Sequence, residues 1–233
     1  MVIINYYDTN NVDIKFENGY ITHARYASFK SGNVRNPYDK TYCGIGYIGE
    51  GKYQSVIKNV MTKQYNSWRA MLQRCYDKSQ VKIRIQYKGC SVCDDWLNFQ
   101  TFAKWYDNNF YSVPNEKMCL DKDILHKGNK IYSPENCVFA PNNINVLFTK
   151  RQSCRGKYPI GVTCDKDGYI KANCNNGYGK NICLGYFDTI EEGFKAYKSY
   201  KEQLIKQIAD NYKQYIPIKL YNALYNYTVE FTD

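Results

Sequence analysis

The first sixty residues alternate between apolar and polar side chains, as in strands that have one buried face. The segments VDIKF at 12–16 and ITHARY at 21–26 follow this alternation, and NGY at 18–20 between them has the composition of a turn. QSVIKNV at 54–60 predicts a further short strand. The pattern therefore predicts a small β module at the N-terminus.

The spacing of apolar residues becomes helical after Lys63. Positions i, i+3, i+4 and i+7 are apolar in one helix predicted around Trp68, Met71, Leu72 and Cys75. DDWLNFQTFAKWYDNNF at 94–110 repeats this spacing and predicts a second helix with an aspartate at its start. We expect both aromatic stripes to form core.

A strand, a loop, a strand and a helix are predicted next. The first strand is MCLDKDIL at 118–125, the turn is at 127–129, and the second strand lies near NCVFA at 136–140. Pro141 and Asn142 predict the start of the helix.

Three short strands and a long helix are predicted in the last section. The strands are PIGVTCD at 159–165, GYIKANC at 168–174 and NICLGYFD at 181–188. Thr189 with Glu192 forms a capping-box pattern at the start of the helix. The chain is thus expected to be an α+β protein divided into an N-terminal β module at 1–62, a central section at 63–150, and a three-stranded sheet packed on a long helix, with a C-terminal helical extension, at 151–233.

Net charge favours an anionic partner. Lys and Arg number 32 against 22 Asp and Glu, which gives a formal charge of +10. Phosphate binding gains from counterion release, so nucleic acid is favoured over simple solubility, an acidic protein or a membrane surface. No apolar stretch approaches the length of a membrane span and the start of the chain lacks a signal-peptide pattern, so we expect a cytosolic protein without a membrane partner. Its ten cysteines are then expected to be reduced.

One segment resembles a nuclease family. CLDKDILHKGNKIYSPENCVFAPNNIN at 119–145, with WRAMLQRCY at 68–76 and YKGCSVCDDWLNFQTF at 87–102 before it, resembles the phage-type HNH, or His-Me finger, endonucleases. The resemblance implies a ββα-metal domain at 63–150, in which a β-hairpin and a helix cradle one divalent ion. It further implies that Asn136 stabilises the hairpin and that Asn145 binds the metal.

The departure from that family is the missing histidine of the first strand, which reads Leu120-Asp121-Lys122-Asp123. Asp121 and Asp123 alternate with Lys122, so both carboxylates are expected on one side of the strand, sharing Mg²⁺ or Mn²⁺ with Asn145. One carboxylate is then a ligand and the other a base for the attacking water. The alternative is a solvated turn in which both aspartates make local caps or salt bridges.

His126 is a second candidate for the base, and its alternative is an exposed loop residue. Structural zinc is considered at Cys90 and Cys93, but no second CxxC motif is present. Completion of the site would need Cys75, Cys119 or Cys137, and buried thiols are the favoured interpretation.

The C-terminal section resembles the ethylene-response-factor-type DNA-binding domain, which also occurs beside HNH nucleases. The matching residues are Tyr158, Gly161 and Val162, then Gly168 with 169–172, Leu184 with 185–189, Glu191 with Glu192, and Ala196 with Tyr197. That family inserts its sheet into the major groove of double-stranded DNA, and by position the contacting residues here are Thr163, Lys166, Tyr169, Lys171 and Asn173. Tyr169 replaces a tryptophan and few arginines are present, which leaves sequence specificity open. The alternative is a sheet that only packs within the protein.

Two functions follow as expectations. The first is a phage or mobile-element DNA endonuclease, of the homing or packaging-associated kind, which hydrolyses phosphodiester bonds with one divalent metal in the cytoplasm of a bacterial host. The second is a DNA-binding protein without catalysis, serving as a regulator, an accessory factor or a counter-defence factor on the same scaffold.

Overall fold

The computed structural model describes residues 1–149 and 157–233, which form helices and several small sheets arranged in two compact units. The first unit contains Met1–Ile85 and Asp94–Lys104, and the second contains Gln86–Cys93 and Trp105–Asp233. The boundary predicted at residue 150 lies outside the described residues, and the three-part division stays a prediction.

The first unit begins with an antiparallel sheet of strands β1 (Val2–Asp8), β2 (Asn11–Lys15) and β3 (Ile21–Ala24), followed by the short helix α1 (Tyr26–Lys30). Val12 and Ile14 are fully buried on one face of β2. The two strands predicted from alternation are therefore confirmed.

The segment predicted as one strand at 54–60 is instead a hairpin, and that prediction was wrong. Strands β4 (Val56–Ile57) and β5 (Val60–Met61) pair antiparallel. Between them, Lys58 and Asn59 have φ values of 48° and 62°. Two successive left-handed residues make the tight hairpin turn whose twist matches paired strands.

Both predicted helices of this region are present, but the second begins at Phe99, so the aspartate expected at its start lies in the preceding 3₁₀ turn. Helices α2 (Lys63–Tyr76) and α3 (Lys78–Ile83) come first, and a 3₁₀ turn at Asp94–Leu97 precedes helix α4 (Phe99–Asn109), whose last residues belong to the second unit. The aromatic stripes form the core of the first unit, where Trp68, Trp96, Phe99 and Phe102 are fully buried. The indole N–H of Trp68 donates to the Trp96 carbonyl at 2.7 Å, which satisfies a polar group inside that core.

The second unit contains the predicted hairpin. Strand β6 (Ser91–Val92) pairs parallel with β8 (Ile131–Tyr132), and β7 (Met118–Asp121) pairs antiparallel with β9 (Val138–Pro141). The short helix α5 (Asn142–Asn145) follows β9 directly. The order of strand, loop, strand and helix is confirmed, although β7 ends at Asp121, four residues earlier than predicted.

The C-terminal strands β10 (Val162–Cys164), β11 (Ile170–Asn175) and β12 (Asn181–Phe187) form an antiparallel sheet in that order. Helix α6 (Ile190–Tyr212) packs on it and begins with the predicted capping box, and α7 (Ile218–Tyr225) follows. Gly193 lets helix and sheet approach closely, since a Cβ there would lie 3.2 Å from Ile170. The predicted three strands and long helix are confirmed.

The hairpin and the C-terminal helices share one core within the second unit. Ala140 and Ile144, from β9 and α5, cluster with Ile205 of α6 and Leu220 of α7. Burial of these side chains fixes the position of α5 behind the hairpin. Within the described ranges, none of the helices has the length and apolar character needed to cross a bilayer.

Candidate active site and nucleic-acid interface

Asp121 ends strand β7 by bonding to the chain that follows it. Its Oδ1 accepts the backbone N–H groups of Asp123 and Ile124, each at 2.8 Å. Such side-chain bonds compete with the strand ladder, so the chain bends at this point. Strand β7 therefore ends at Asp121, and Asp123 lies in the bend after it. The expectation that strand alternation places both carboxylates on one face of β7 does not apply.

Lys122 is almost completely buried between the two aspartates in sequence. Its ammonium contacts the Asp123 carboxylate at 3.0 Å and donates to the Asn129 carbonyl at 3.1 Å. Although burial lowers its pKa, the Asp123 carboxylate raises the pKa of Lys122 above its ordinary value. Lys122 is therefore a cation held against one of the candidate carboxylates, whose side chain is 46% exposed.

The two carboxylates lie close enough to influence each other. Burial, and then the neighbouring Asp123 carboxylate, raise the pKa of Asp121 to about 6, even though the two backbone N–H groups lower it. The ionised form of Asp121 is thus poorly compensated in the folded protein. A proton or a bound cation beside Asp121 would remove that penalty.

Asn145 is the last residue of α5, and its side chain is partly buried. It makes no side-chain hydrogen bond to another described residue, so its amide remains available. Three or more His, Cys, Asp or Glu side chains do not come together as a metal-binding group anywhere in the described ranges. A metal at this place would therefore depend on Asp121, Asp123, the Asn145 amide and water.

His126 lies in the bend after β7, and its side chain is exposed. Its carbonyl accepts the Asn129 N–H at 2.9 Å. Within the described residues its imidazole makes no hydrogen bond to Asp121 or Asp123. Asp121 and Asp123 therefore interact with each other, whereas the His126 side chain is hydrogen-bonded to neither of them.

Two asparagines hold the loop between β7 and β8. Asn136 donates to the side chain of Asn129 at 3.2 Å and to the Ile131 carbonyl at 3.3 Å. Asn129 in turn donates to the carbonyls of Lys122, at 2.7 Å, and Ile131, at 2.8 Å. Asn136 thus lies where a hairpin-stabilising residue is expected. Asn129 is the more central member, which the Gly-Asn turn in the sequence did not indicate.

The candidate zinc cysteines are divided between the units. Cys75 belongs to the first unit, whereas Cys90, Cys93, Cys119 and Cys137 belong to the second. Burial raises the pKa of both the Cys90 and the Cys137 thiol, so these two are neutral at physiological pH. Cys119 lies 3.6 Å from the Asn142 amide oxygen.

The outer face of the C-terminal sheet contains the residues predicted to contact DNA. Thr163, Lys171 and Tyr186 are paired in register across the three strands. The Lys171 ammonium lies 5.5 Å from the centre of the Tyr186 ring. Ala172 and Cys174 point to the opposite face and are buried. The outer face therefore combines aromatic, basic and amide groups.

The remaining predicted residues of this surface extend it in two directions. Asn173 pairs with Cys183 after an irregularity in register, and Tyr169, which is 62% exposed, precedes β11. Lys166 is exposed in the turn, where Asp165 Oδ1 accepts the N–H groups of Asp167 and Tyr169. All five predicted residues thus lie on the outer face or in the turn beside it.

Tyr186 was not among the residues predicted to contact DNA, although it lies on the same outer face and in the segment that carries the resemblance. Its position follows from strand register, since it faces Lys171 directly. Tyr178, which is 75% exposed in the turn between β11 and β12, adds a further aromatic ring at the edge of the sheet.

Comparison with known protein families, curated proteins and solved structures finds no match for this chain.

Proposed function

We propose that this protein is a metal-dependent DNA endonuclease of the phage or mobile-element type. The observation that supports this most is the carboxylate pair of Asp121 and Asp123 at the end of β7. Asp121 pairs in register with Val138 of β9, the strand that leads into α5 and Asn145. The proposal assigns the metal to the oxygen atoms of Asp121 and Asp123, at and just after the end of β7, and of Asn145, at the end of α5.

These donors fit Mg²⁺ or Mn²⁺ by their chemistry. Carboxylate and amide oxygens are the preferred ligands of such hard cations, and Mg²⁺ commonly keeps several waters and uses one or two carboxylates. Asp121 retains Oδ2 for this purpose, because the two backbone N–H groups occupy Oδ1. When bound, the ion would neutralise charge on the phosphate and polarise water.

The chain itself would supply a base and a fixed geometry. With Asp121 as the metal ligand, Asp123 is the candidate base for the attacking water, since 46% of its side chain is exposed. Lys122 holds Asp123 through its 3.0 Å contact and thereby orients the second carboxylate. His126 stays a second candidate for the base, since its imidazole is exposed.

DNA binding is assigned to the C-terminal sheet. Its outer face carries Lys171, Tyr186 and Thr163 in one row, with Lys166 and Tyr169 beside them. A twisted antiparallel sheet can enter the major groove, where lysines meet phosphates and side-chain amides meet base edges. The formal charge of +10 supports the same partner.

A DNA-binding protein without catalysis is the second candidate. It is favoured by the local bonds of both aspartates, because Asp121 accepts two backbone N–H groups and Asp123 contacts Lys122. These are the caps and salt bridges expected of a structural turn. The missing strand histidine favours the same candidate.

Incubation of supercoiled plasmid with the purified chain in Mg²⁺, Mn²⁺ or EDTA separates these candidates. Nicked or linear product that forms with either metal and not in EDTA is the result we expect. Intact plasmid in all three conditions, together with retardation of the same DNA on a gel, would contradict the endonuclease and support the DNA-binding protein.

Asn145→Ala tests the helix side of the site. We expect cleavage to fall about 10- to 100-fold, because loss of a group that supports a metal site typically costs that much activity. Duplex affinity in EDTA should change less than about 2-fold, since Asn145 does not lie on the C-terminal sheet. Unchanged cleavage would remove Asn145 from the mechanism.

A further inference from the structure

An open groove of about 370 Å³ lies beside strand β9 in the second unit. Its volume falls in the lower part of the range for small-ligand sites. Aromatic rings and two kinds of polar group line it, contributed by Phe110, Tyr111, Phe139, Tyr215, Asn108 and Lys219. Neither the candidate metal site nor the C-terminal sheet includes any of these six side chains.

One wall of the groove is a rigid aromatic cluster. Phe110 stacks on Tyr106 with ring centres 4.8 Å apart and planes 9° apart, and it meets Phe139 edge-on at 5.2 Å. The Tyr111 hydroxyl donates to the Phe139 carbonyl at 2.6 Å. These contacts fix the rings before any ligand arrives, which lowers the entropic cost of binding a flat molecule.

Tyr215 lines another part of the groove, and its ring is exposed to solvent. Its side chain is 45% exposed and makes no hydrogen bond within the described residues. The backbone N–H of Tyr215 donates to the Tyr212 carbonyl at 2.8 Å, which holds the residue at the end of α6. Tyr215 therefore offers an aromatic face without a protein partner for its hydroxyl.

The polar groups of the groove suit a nucleotide. The exposed Asn108 amide, which has no bonded partner among the described residues, can donate to and accept from a base edge. The exposed Lys219 ammonium lies 3.5 Å from the Cys137 carbonyl, its one hydrogen bond in the described ranges. It remains able to meet a phosphate, whose negative charge complements the net charge of the chain.

We propose that this groove binds one unstacked nucleobase of a DNA strand, with the base against Tyr215 and a neighbouring phosphate at Lys219. Position supports the assignment, because Val138 lines the groove and is the register partner of Asp121. The inference rests on the proposed function for its nucleic-acid partner. It adds that the preferred substrate has an extrahelical or unpaired base near the cleaved bond, since a bulged base does not have to be extruded from a paired duplex.

Fluorescence anisotropy in EDTA measures this preference without cleavage. Three labelled duplexes are compared: one fully paired, one with a single bulged 2-aminopurine, and one with an abasic bulge, which keeps the extra backbone unit but has no base. Stacking of a base on an aromatic side chain corresponds to roughly 5- to 100-fold in affinity. We expect the 2-aminopurine duplex to bind that much more tightly than the abasic duplex, with its fluorescence quenched.

Three variants locate the effect. Tyr215→Ala should abolish the difference between the two bulged duplexes, whereas Tyr215→Phe should keep most of it. Tyr225→Ala is the matched control, since Tyr225 is exposed to a similar extent, 42% against 45%, on helix α7. Unchanged thermal unfolding of each variant excludes a folding defect.

The outcomes separate this inference from the proposed function. Binding of all three duplexes with equal affinity, or a preference that Tyr215→Ala retains, would overturn the nucleobase site while leaving DNA binding in place. No binding of any duplex would overturn both, and metal-dependent plasmid cleavage without a bulge preference would overturn the groove alone.

Discussion

The Asp121 side chain accepts hydrogen bonds that end strand β7, and it is also the carboxylate that we propose as a metal ligand. Its backbone bonds end a strand, yet burial and Asp123 raise its pKa from 3.8 to about 6. A carboxyl whose pKa is higher in the folded than in the unfolded chain favours folding when it is protonated. As the pH rises from about 4 to about 6, ionisation therefore reduces the stability of the metal-free protein.

Asp121→Asn should accordingly stabilise the metal-free chain at neutral pH. The amide keeps an Oδ1 acceptor for the N–H groups of Asp123 and Ile124 but carries no charge. We expect a gain of about 1–3 kcal/mol in the free energy of unfolding at pH 7.5, which disappears near pH 4. Urea unfolding in EDTA at both pH values measures it, with Glu135→Gln, at an exposed position in the turn between β8 and β9, as the control. Equal destabilisation at both pH values would contradict the uncompensated charge.

At the scale of elements, the loop between β7 and β8 depends on its asparagines. Asn129→Ala should lower the free energy of unfolding by about 1–2 kcal/mol, because two backbone carbonyls lose their donor. Asn136→Ala removes longer bonds and should cost about 1 kcal/mol or less. Urea unfolding ranks the two, and a larger effect of Asn136→Ala would contradict the central position of Asn129.

The proposed phosphate contacts of the C-terminal sheet should make DNA binding depend on salt concentration. Each phosphate contact contributes about 0.9 to the slope of log affinity against log salt. Lys166→Ala combined with Lys171→Ala should therefore reduce that slope by up to about 2. Lys195→Ala with Lys206→Ala makes the same change in charge on exposed positions of α6 and should leave most of the slope. If both double variants lost the same amount of slope, the sheet lysines would contribute only through the net charge of the protein and would not contact phosphates directly.

Sequence periodicity was sufficient for elements that bury one face. Trp68 and Phe99 mark their helices, and Thr189 with Glu192 marks the start of α6, because burial and capping impose local patterns. The early end of β7 was not predictable, since it depends on the side chain of Asp121 bonding to its own backbone. The burial of Lys122 also escaped prediction, because its partner Asn129 is brought near only by the fold.

In the molecule as a whole, the carboxylate pair occurs together with the proposed DNA-binding surfaces. The carboxylate pair, the C-terminal sheet and the aromatic groove all lie in the second unit. This unit therefore contains both the proposed chemistry and the proposed DNA contacts. The first unit contributes its own aromatic core and an N-terminal sheet. The carboxylate pair is the proposed metal site at which DNA is cut.

Cleavage of supercoiled plasmid in Mg²⁺ by the wild type, Asp121→Asn and Glu135→Gln tests the role of Asp121 in that site. We expect Asp121→Asn, although folded and more stable, to lose cleavage at every pH from 5 to 8, while Glu135→Gln cuts like the wild type. Wild-type cleavage should also weaken as the pH falls through about 6, because protonation of Asp121 competes with the metal. Cleavage by Asp121→Asn at the wild-type rate would contradict the assignment of the site.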